Sequence, residues 1–393
     1  MIQFDQDLAN YKHLWVFNNN VIKFHDDGAA ASLHADIVTA DFTARIYPDP
    51  NGLFTFNFNR YLKALAIKNN LADVINFNVG ASVNSLVYDD TDNVVFNLNC
   101  TITIELNEAA PVTASKSYQF FAGVEQLIEF QRQEYPQLPI FLLQNSMSRS
   151  KSFYHVNYWE GYPFDLSVYC STPGNLNIDN VSNGLDLNVP IQAGALVNRI
   201  SFGDANSEIT INDFLPLKTG LNRLVFRRPG YDPAINLNET PLNIIINKHG
   251  AECGVYIKFR NEKGGWTYWL FHKNKGRERS SSKLEALAND SRNIESTIAP
   301  VIQSGVKDSS EVINCFAVGV DANDMRTLEY LIDSPKVYLF TGERFSVNQE
   351  PQANQWIEIE CATEKLDLEL PTRNKQNIPI KLRLPNRYKV GLL

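Results

Sequence analysis

Apolar and polar residues alternate along most of this chain, and the segment VYIKFRNEKGGWTYWLF shows the pattern at its densest. Val255, Ile257 and Phe259 alternate with Tyr256, Lys258 and Arg260, the period of a half-buried strand. Asn261 to Gly265 supply turn chemistry, with two glycines, Gly264 and Gly265, free to take positive φ. Trp266, Tyr268 and Leu270 then alternate with Thr267, Trp269 and Phe271, so the segment predicts a β-hairpin whose second strand bears rings on both faces. A strand apolar on both faces is usually covered on both. On the partner strand, Val255, Ile257 and Phe259 extend that apolar surface.

The same period recurs on either side. ADIVTADFTARIYP predicts a strand, DPNG (Asp49–Gly52) a turn, and LFTFNFN a returning strand. RYLKALAIKNNLAD carries Leu62, Leu65 and Ala66 at helical spacing and predicts a helix over about 60–73; FFAGVEQLIEFQRQEY predicts another over about 120–134. VVFNLNCTITIEL, from Val94, is a long alternating strand. The polar run NSMSRSKS, from Asn145, reads as a linker. Beyond it PFDLSVYC, GLDLNVPI, NRISFG and LNRLVF follow as short strands punctuated by Gly, Pro, Asn and Asp, as in a sandwich or barrel. The fold class is therefore mainly β: sandwich or barrel modules with a few short helices. Three regions are expected: 1–145, β-rich with the short helices; 146–240, sandwich-like; and 241–393, carrying the aromatic hairpin. The last includes a basic, then polar excursion over about 273–311 that reads as an exposed arm or loop, with Lys273, Lys275, Arg277 and Arg279 at its start.

Composition narrows the function classes. Hydrophobic residues at 44% and charged ones at 20% are those of an ordinary globular chain, not of disorder. A net charge of −8 leaves no cationic excess to replace phosphate counterions, so direct nucleic-acid binding is not expected. The opening MIQFDQDLANYKHLW is charged and broken, unlike a secretory signal, and no window approaches the roughly 20 apolar residues of a membrane span. Cys100, Cys170, Cys253, Cys315 and Cys361 lie far apart without a CxxC spacing, which points to reduced thiols and a reducing cytoplasm.

No catalytic, cofactor-binding or metal-binding set emerges. The histidines show no HExxH or HxH pairing, and no GxSxG, Walker or GxGxxG segment is present. The acidic runs Asp89–Asp92 and Asp321–Asp324 read as solvated caps or Asx-turns. DTDN, at Asp90–Asn93, lacks the glycine and closing glutamate of a calcium loop. What remains is the aromatic stock, above all Trp159, Trp266, Tyr268, Trp269 and Phe271, whose rings serve a core, a subunit interface or a carbohydrate platform.

CGVYIKFRNEKGGWTYWLF, from Cys253, resembles a segment of structural proteins of tailed bacteriophages that infect Bacteroidetes. YWEGYPFDLSVY from Tyr158, LEYLIDSPKVYLF from Leu328 with QWIEIECA from Gln355, and IYPDPNGLFTFNFNRYLKAL from Ile46 are similar to other pieces of the same proteins. The resemblance implies a non-enzymatic virion component of the tail, of distal-tail, baseplate or adaptor type. It would be made and assembled in the host cytoplasm. It also implies self-assembly into a ring, six being the expected copy number, and contact with other tail proteins. Every motif is structural, so no active-site residue carries over. On that reading residues 273–311 form an inter-subunit arm, mobile in the isolated subunit or ordered by a neighbour. The alternative is a carbohydrate-binding or adhesin protein that uses Trp159, Trp266 and Trp269 against a host glycan. An enzyme on a β-sandwich would need two carboxylates about 5–10 Å apart in a cleft.

Overall fold

The alternating segments pair into five sheets in the computed structural model. It describes residues 1–10, 13–28, 30–68, 70–73, 86–126, 139–144, 153–203, 211–232, 234–235, 241–250, 252–288, 302–342, 355–366 and 375–386. The fold is mainly β, with several sheets, a barrel and few short helices.

In the first region β1 (Ile2–Gln6), β3 (Val21–Asp26) and β6 (Phe54–Asn57) form one antiparallel sheet in the order β1-β3-β6. β2 (Leu14–Trp15), β4 (Ser32–Thr39), β5 (Thr43–Ile46), β8 (Val95–Leu106) and β9 (Ala109–Phe121) form a second, in the order β2-β9-β8-β4-β5. Phe24, Phe54, Phe58, Leu62, Ile102, Ile104 and Phe120 fill a common core, to which helix α1 (Asn59–Ile67) contributes Leu62 and Ala66. The DPNG turn is present, with the Asp49 carboxylate accepting from the backbone of Asn51 and Leu53. It does not close a hairpin: β5 pairs with β4 and β6 with β3, so the turn carries the chain from one sheet to the other.

Two helix expectations need correction. α1 begins where predicted but ends at Ile67 instead of near 73, because the residues beyond it bring no further apolar side chain to the core, and Asn70 and Leu71 turn to positive φ. No helix starts at 120. Phe120 and Phe121, both buried, finish β9 opposite Phe96 and Val95, and the chain stays non-helical through 126. Two adjacent phenylalanines fit a helix pattern in the letters, but cross-strand pairing takes them instead. The rest of that expected helix, 127–134, and the linker expected at 145–152 lie outside the described residues.

β7 (Val87–Asp89), β10 (Ile140–Leu142), β12 (Asp165–Cys170) and β15 (Val197–Ser201) make a sheet in the order β10-β12-β15-β7. Its two edge strands come from before residue 145, so the boundary drawn there cuts through a sheet. β11 (Tyr154–Trp159), β13 (Gly174–Asn180), β14 (Leu185–Ile191), β16 (Gly220–Arg227) and β17 (Leu242–His249) form the fourth sheet, in the order β11-β17-β16-β13-β14. The C-terminal strands β18 (Val255–Arg260), β19 (Trp266–Ala288), β20 (Ile302–Val320), β21 (Val337–Phe340), β22 (Trp356–Cys361) and β23 (Gln376–Arg383) close a barrel. Helices α2 (Thr91–Val94), α3 (Ile211–Phe214) and α4 (Ala322–Glu329) are short. One continuous apolar core runs through the third sheet, the fourth sheet and the barrel.

The excursion at 273–288 is not a loop. It is the outer part of β19, paired antiparallel with β20 from His272↔Phe316 out to Ala288↔Ile302, with register shifts near Lys273–Arg277 and Lys283–Leu287. Serine and charged residues bond across it: Ser280 and Ser310 Oγ lie 2.7 Å apart, and Asn314 donates to Glu278 at 2.8 Å.

Candidate functional site: a sealed junction and a projecting ribbon

The turn of the aromatic hairpin sits where the parts of the chain meet. β18 and β19 pair with Arg260 opposite Trp266, and Asn261 organises the intervening loop. Its Oδ1 accepts from the backbone N–H of Lys263 (2.9 Å) and Gly265 (3.1 Å), while its Nδ2 donates to the Leu143 carbonyl (2.9 Å) and to Thr267 Oγ1 (3.1 Å). Positive φ, expected at both glycines, belongs to Gly264 alone, at 83°. Gly265 is needed for close approach: a Cβ there would stand 2.1 Å from the Leu143 carbonyl oxygen. On the other side a Cβ on Gly123 would stand 2.5 Å from the Glu262 carbonyl, to which Val124 N–H donates at 2.6 Å. The turn is therefore clamped, backbone to backbone, between the end of β9 and the segment after β10.

Register decides what lies beside the rings. Lys258 faces Tyr268 and Arg260 faces Trp266, so the Trp266 face carries cations, whereas Ile257 and Val255 pair with Trp269 and Phe271 on the opposite face. Val255, Ile257 and Phe259 extend the apolar surface on the face of Trp269 and Phe271, opposite Phe271, Trp269 and Thr267. The cations are buried in a closed network. Arg199 donates to Asp165 through Nε (2.9 Å) and Nη2 (2.7 Å), to Asp73 through Nη1 (2.8 Å), and to the Tyr268 hydroxyl (3.2 Å). Tyr268 in turn donates to Asp165. Lys258 donates to the other oxygen of Asp73 at 2.6 Å and lies over the Trp356 ring at 4.3 Å. Arg260 donates to the Asn93 carbonyl (3.1 Å).

Burial alone would raise the Asp73 carboxyl, but Arg199 and Lys258 outweigh it and hold it below the usual carboxylate range. Burial draws the Lys258 ammonium down, against the pull of Asp73. Asp90, at the start of α2, receives no such compensation. Its Oδ1 accepts from Asn93 (2.7 Å), its Oδ2 has no hydrogen-bond partner among the described residues, and burial pushes the carboxyl up to about 6 despite the attraction of Arg199. The network satisfies charge inside protein rather than presenting it to a substrate, since Arg199 and Asp165 are wholly enclosed.

Every ring singled out in the sequence is buried: Trp159 is 4% exposed, Trp266 1%, Tyr268 3%, Trp269 3% and Phe271 0%. Trp159 stacks on His249 (4.8 Å between centroids, 11°) and meets Trp269 edge-on at 5.3 Å. A polar chain completes the contact with α4: Asn157 donates to Asp324 at 2.6 Å, and His249 Nε2 lies 2.9 Å from Asn157 Oδ1. A sugar platform requires rings open to water on one side, and these rings do not form one. The acidic runs divide. Asp321 caps α4, accepting from Asn323 and Asp324 backbone N–H in a reciprocal capping box, whereas Asp90 is buried at the junction and is no solvated cap. Cys100, Cys170 and Cys315 are buried thiols, Cys361 is half-buried and Cys253 is exposed. Among the described residues no group of three or more His, Cys, Asp or Glu is placed to hold a metal ion, and no helix is long and apolar enough to cross a membrane.

Arg199, Asp165 and Asp73 escaped sequence reading, while Lys258 reads there as an alternating strand residue and Asp90 as part of a solvated cap. A signal existed for two of them: Asp165 in PFDLSVYC and Arg199 in NRISFG are single charges in otherwise uncharged strands, and a charge buried there needs a partner. Of the basic residues marked in the arm, Arg277 stands 69% exposed and lies 3.2 Å from Glu311.

No protein-family model and no curated protein matches this chain. Among solved structures it is similar to fibronectin(III)-like modules of Clostridium thermocellum CbhA at 8% identity, covering 64% of this chain and 95% of that one, with a TM-score of 0.20. Titin domains A168–A170 give 10%, 80%, 92% and 0.26 on the same measures, and a 1.5-MDa bacterial ice-binding adhesin gives 9%, 80%, 92% and 0.20. TM-scores this low carry no argument about architecture or role.

Proposed function

We propose that this chain is a non-catalytic structural subunit of a bacteriophage tail, a ring-forming tail-end, baseplate or adaptor component. The observation that carries the reading is a contrast. The chemically rich side chains are spent on internal cohesion, sealing the hairpin turn and the Arg199 network, while β19 and β20 run on beyond the barrel as a ribbon. Rigid bodies with projecting strand pairs suit assembly, because unpaired strand edges bond to a neighbour. The segments that resemble phage tail proteins, from Tyr158, Cys253 and Leu328, are also those that build the sealed junction and the barrel. Mass spectrometry of purified virions tests the reading: the chain should be recovered with the tail proteins, and its absence from intact particles would overturn the assignment.

A second reading, a carbohydrate-binding or adhesin role, is favoured by one surface. On the fourth sheet Arg227 donates to Asn177 (3.1 Å) and Asp179 (3.3 Å), and Asn177 reaches Asn188 (3.3 Å), an array of planar polar groups partly open to solvent. Glycan-array binding lost in Arg227→Ala would support this reading over the first, and a silent array would remove it.

A further inference from the structure

Asparagine is followed directly by glycine at two places, Asn51–Gly52 and Asn183–Gly184. Both glycines lie at positive φ, 82° and 73°, and a Cβ on either would meet nothing within 4 Å. With no side chain of its own, glycine leaves its main-chain nitrogen unshielded, so that nitrogen can reach the amide carbon of the preceding asparagine. In each turn the glycine N–H donates to a carbonyl, Gly52 to Asp49 and Gly184 to Asn180, both at 2.9 Å. The two pairs are alike to this point and differ in the asparagine side chain. Asn183 is held at both ends of its amide: Oδ1 accepts from the Leu185 N–H (3.0 Å) and Nδ2 donates to the Pro216 carbonyl (2.9 Å). Asn51 stands exposed in the DPNG turn, and among the described residues its side-chain amide makes no hydrogen bond. The turn is held by Asp49 instead, whose carboxylate accepts from the N–H groups of Asn51 (2.8 Å) and Leu53 (2.9 Å).

We propose that Asn51 is a site of spontaneous modification, deamidating through a cyclic imide, and that the fold spares Asn183. The Gly52 nitrogen gives its proton to solvent base and bonds to Asn51 Cγ. The Cγ–Nδ2 bond breaks, and Nδ2 takes up a proton and leaves as ammonia. One water molecule then opens the five-membered imide, with no change of oxidation state. Opening at the side-chain carbonyl gives aspartate. Opening at the main-chain carbonyl gives iso-aspartate, whose main chain runs through Cβ and Cγ and is one carbon longer. Either product adds a negative charge, and the second lengthens a turn that Asp49 N–H closes onto the Leu53 carbonyl (2.9 Å) between β5 and β6. At Asn51 the reaction has to release only the Gly52–Asp49 bond. At Asn183 it has to release the two side-chain bonds as well, which slows it roughly tenfold or more. The chemistry depends on the turn alone, whatever the chain assembles with.

Ageing the full chain in mildly alkaline buffer tests the site, with peptide mapping by mass spectrometry and enzymatic methyl labelling of iso-aspartate. The Asn51 peptide should turn from amide to acid, with iso-aspartate in it, about tenfold or more faster than the Asn183 peptide. In concentrated urea, where neither side chain is held, the two peptides should convert at similar rates. On isoelectric focusing the acidic species that accumulate in wild type should be absent from Asn51→Gln, whose longer side chain cannot close the five-membered ring, and should persist in Asn183→Gln. Equal rates at the two sites in the folded chain would overturn the protection of Asn183. An Asn51 that survives in the folded chain while converting in urea would overturn the site itself.

Discussion

Trp266 gathers three cations around one ring: the Lys258 ammonium lies 5.6 Å from its centroid, and the Arg199 and Arg260 guanidinium carbons each lie 5.9 Å away. Trp266→Ala removes a large buried ring and leaves those cations facing a void. It should lower unfolding free energy by about 3–5 kcal/mol, read as a fall in the urea midpoint. An unchanged midpoint would mean that the ring lies open in solution. The glycines offer a sharper contrast. Gly265→Ala sets a methyl group against the Leu143 carbonyl and should cost several kcal/mol, whereas Gly276→Ala, with nothing within 4 Å, should leave the midpoint nearly unmoved. That ring-bearing strand could be read as apolar on both faces because its letters alternate rings with rings. Which charged residues stand beside it could not be read, because that depends on a one-residue choice of register. Pairing Arg260 with Trp266 brings Lys258 and Arg260 inward, and only strands from elsewhere in the chain supply their partners.

At the scale of elements, long alternations such as β8 and the two strands of the aromatic hairpin are plain in the sequence, because a period of two over many residues has no helical counterpart. The misreadings share a cause. The start of FFAGVEQLIEF, Phe120–Phe121, and KNKGRERSSSK carry no unambiguous period of their own, and in both cases the partner strand, not local preference, decides the conformation. The DPNG turn shows the reverse limit, since its local chemistry is correct yet it joins strands of different sheets. Helix α4 shows local chemistry sufficing: the Asp321–Asp324 box caps a helix that buries Met325 and Leu328. Asp321→Ala should cost about 1–2 kcal/mol, and Asp321→Asn or Asp321→Ser much less, because either retains an acceptor for the two N–H groups. Equal losses for all three, measured by thermal unfolding, would show that the acid acts through charge rather than as a cap.

For the molecule as a whole, the junction between the hairpin turn, β15 and α2 makes stability depend on pH in a way its composition does not suggest. Asp90 hydrogen-bonds through its backbone N–H to the Val197 carbonyl (2.8 Å), and Arg199, Arg260 and Asp73 are the charged groups that act on its carboxyl. Burial raises that carboxyl from 3.8 to about 6 in the folded chain. A carboxyl with a raised folded pKa binds its proton more tightly when folded, so its contribution is fully present below about pH 4 and is lost as pH rises through about 6. Asp73 works with the opposite sign: held low by Arg199 and Lys258, it stabilises above the ordinary carboxylate range and loses that contribution as pH falls. The two slopes can be separated by substitution. Asp90→Asn keeps an oxygen for Asn93 and cannot ionise, so between pH 4 and 7 its unfolding free energy should gain on that of wild type by up to about 3 kcal/mol. The gain should develop across that window and flatten above about pH 7, as followed by urea unfolding at a series of pH values. A wild-type and variant difference that stays constant from pH 4 to 7 would mean that Asp90 does not change protonation there, and that the junction opens to water around it.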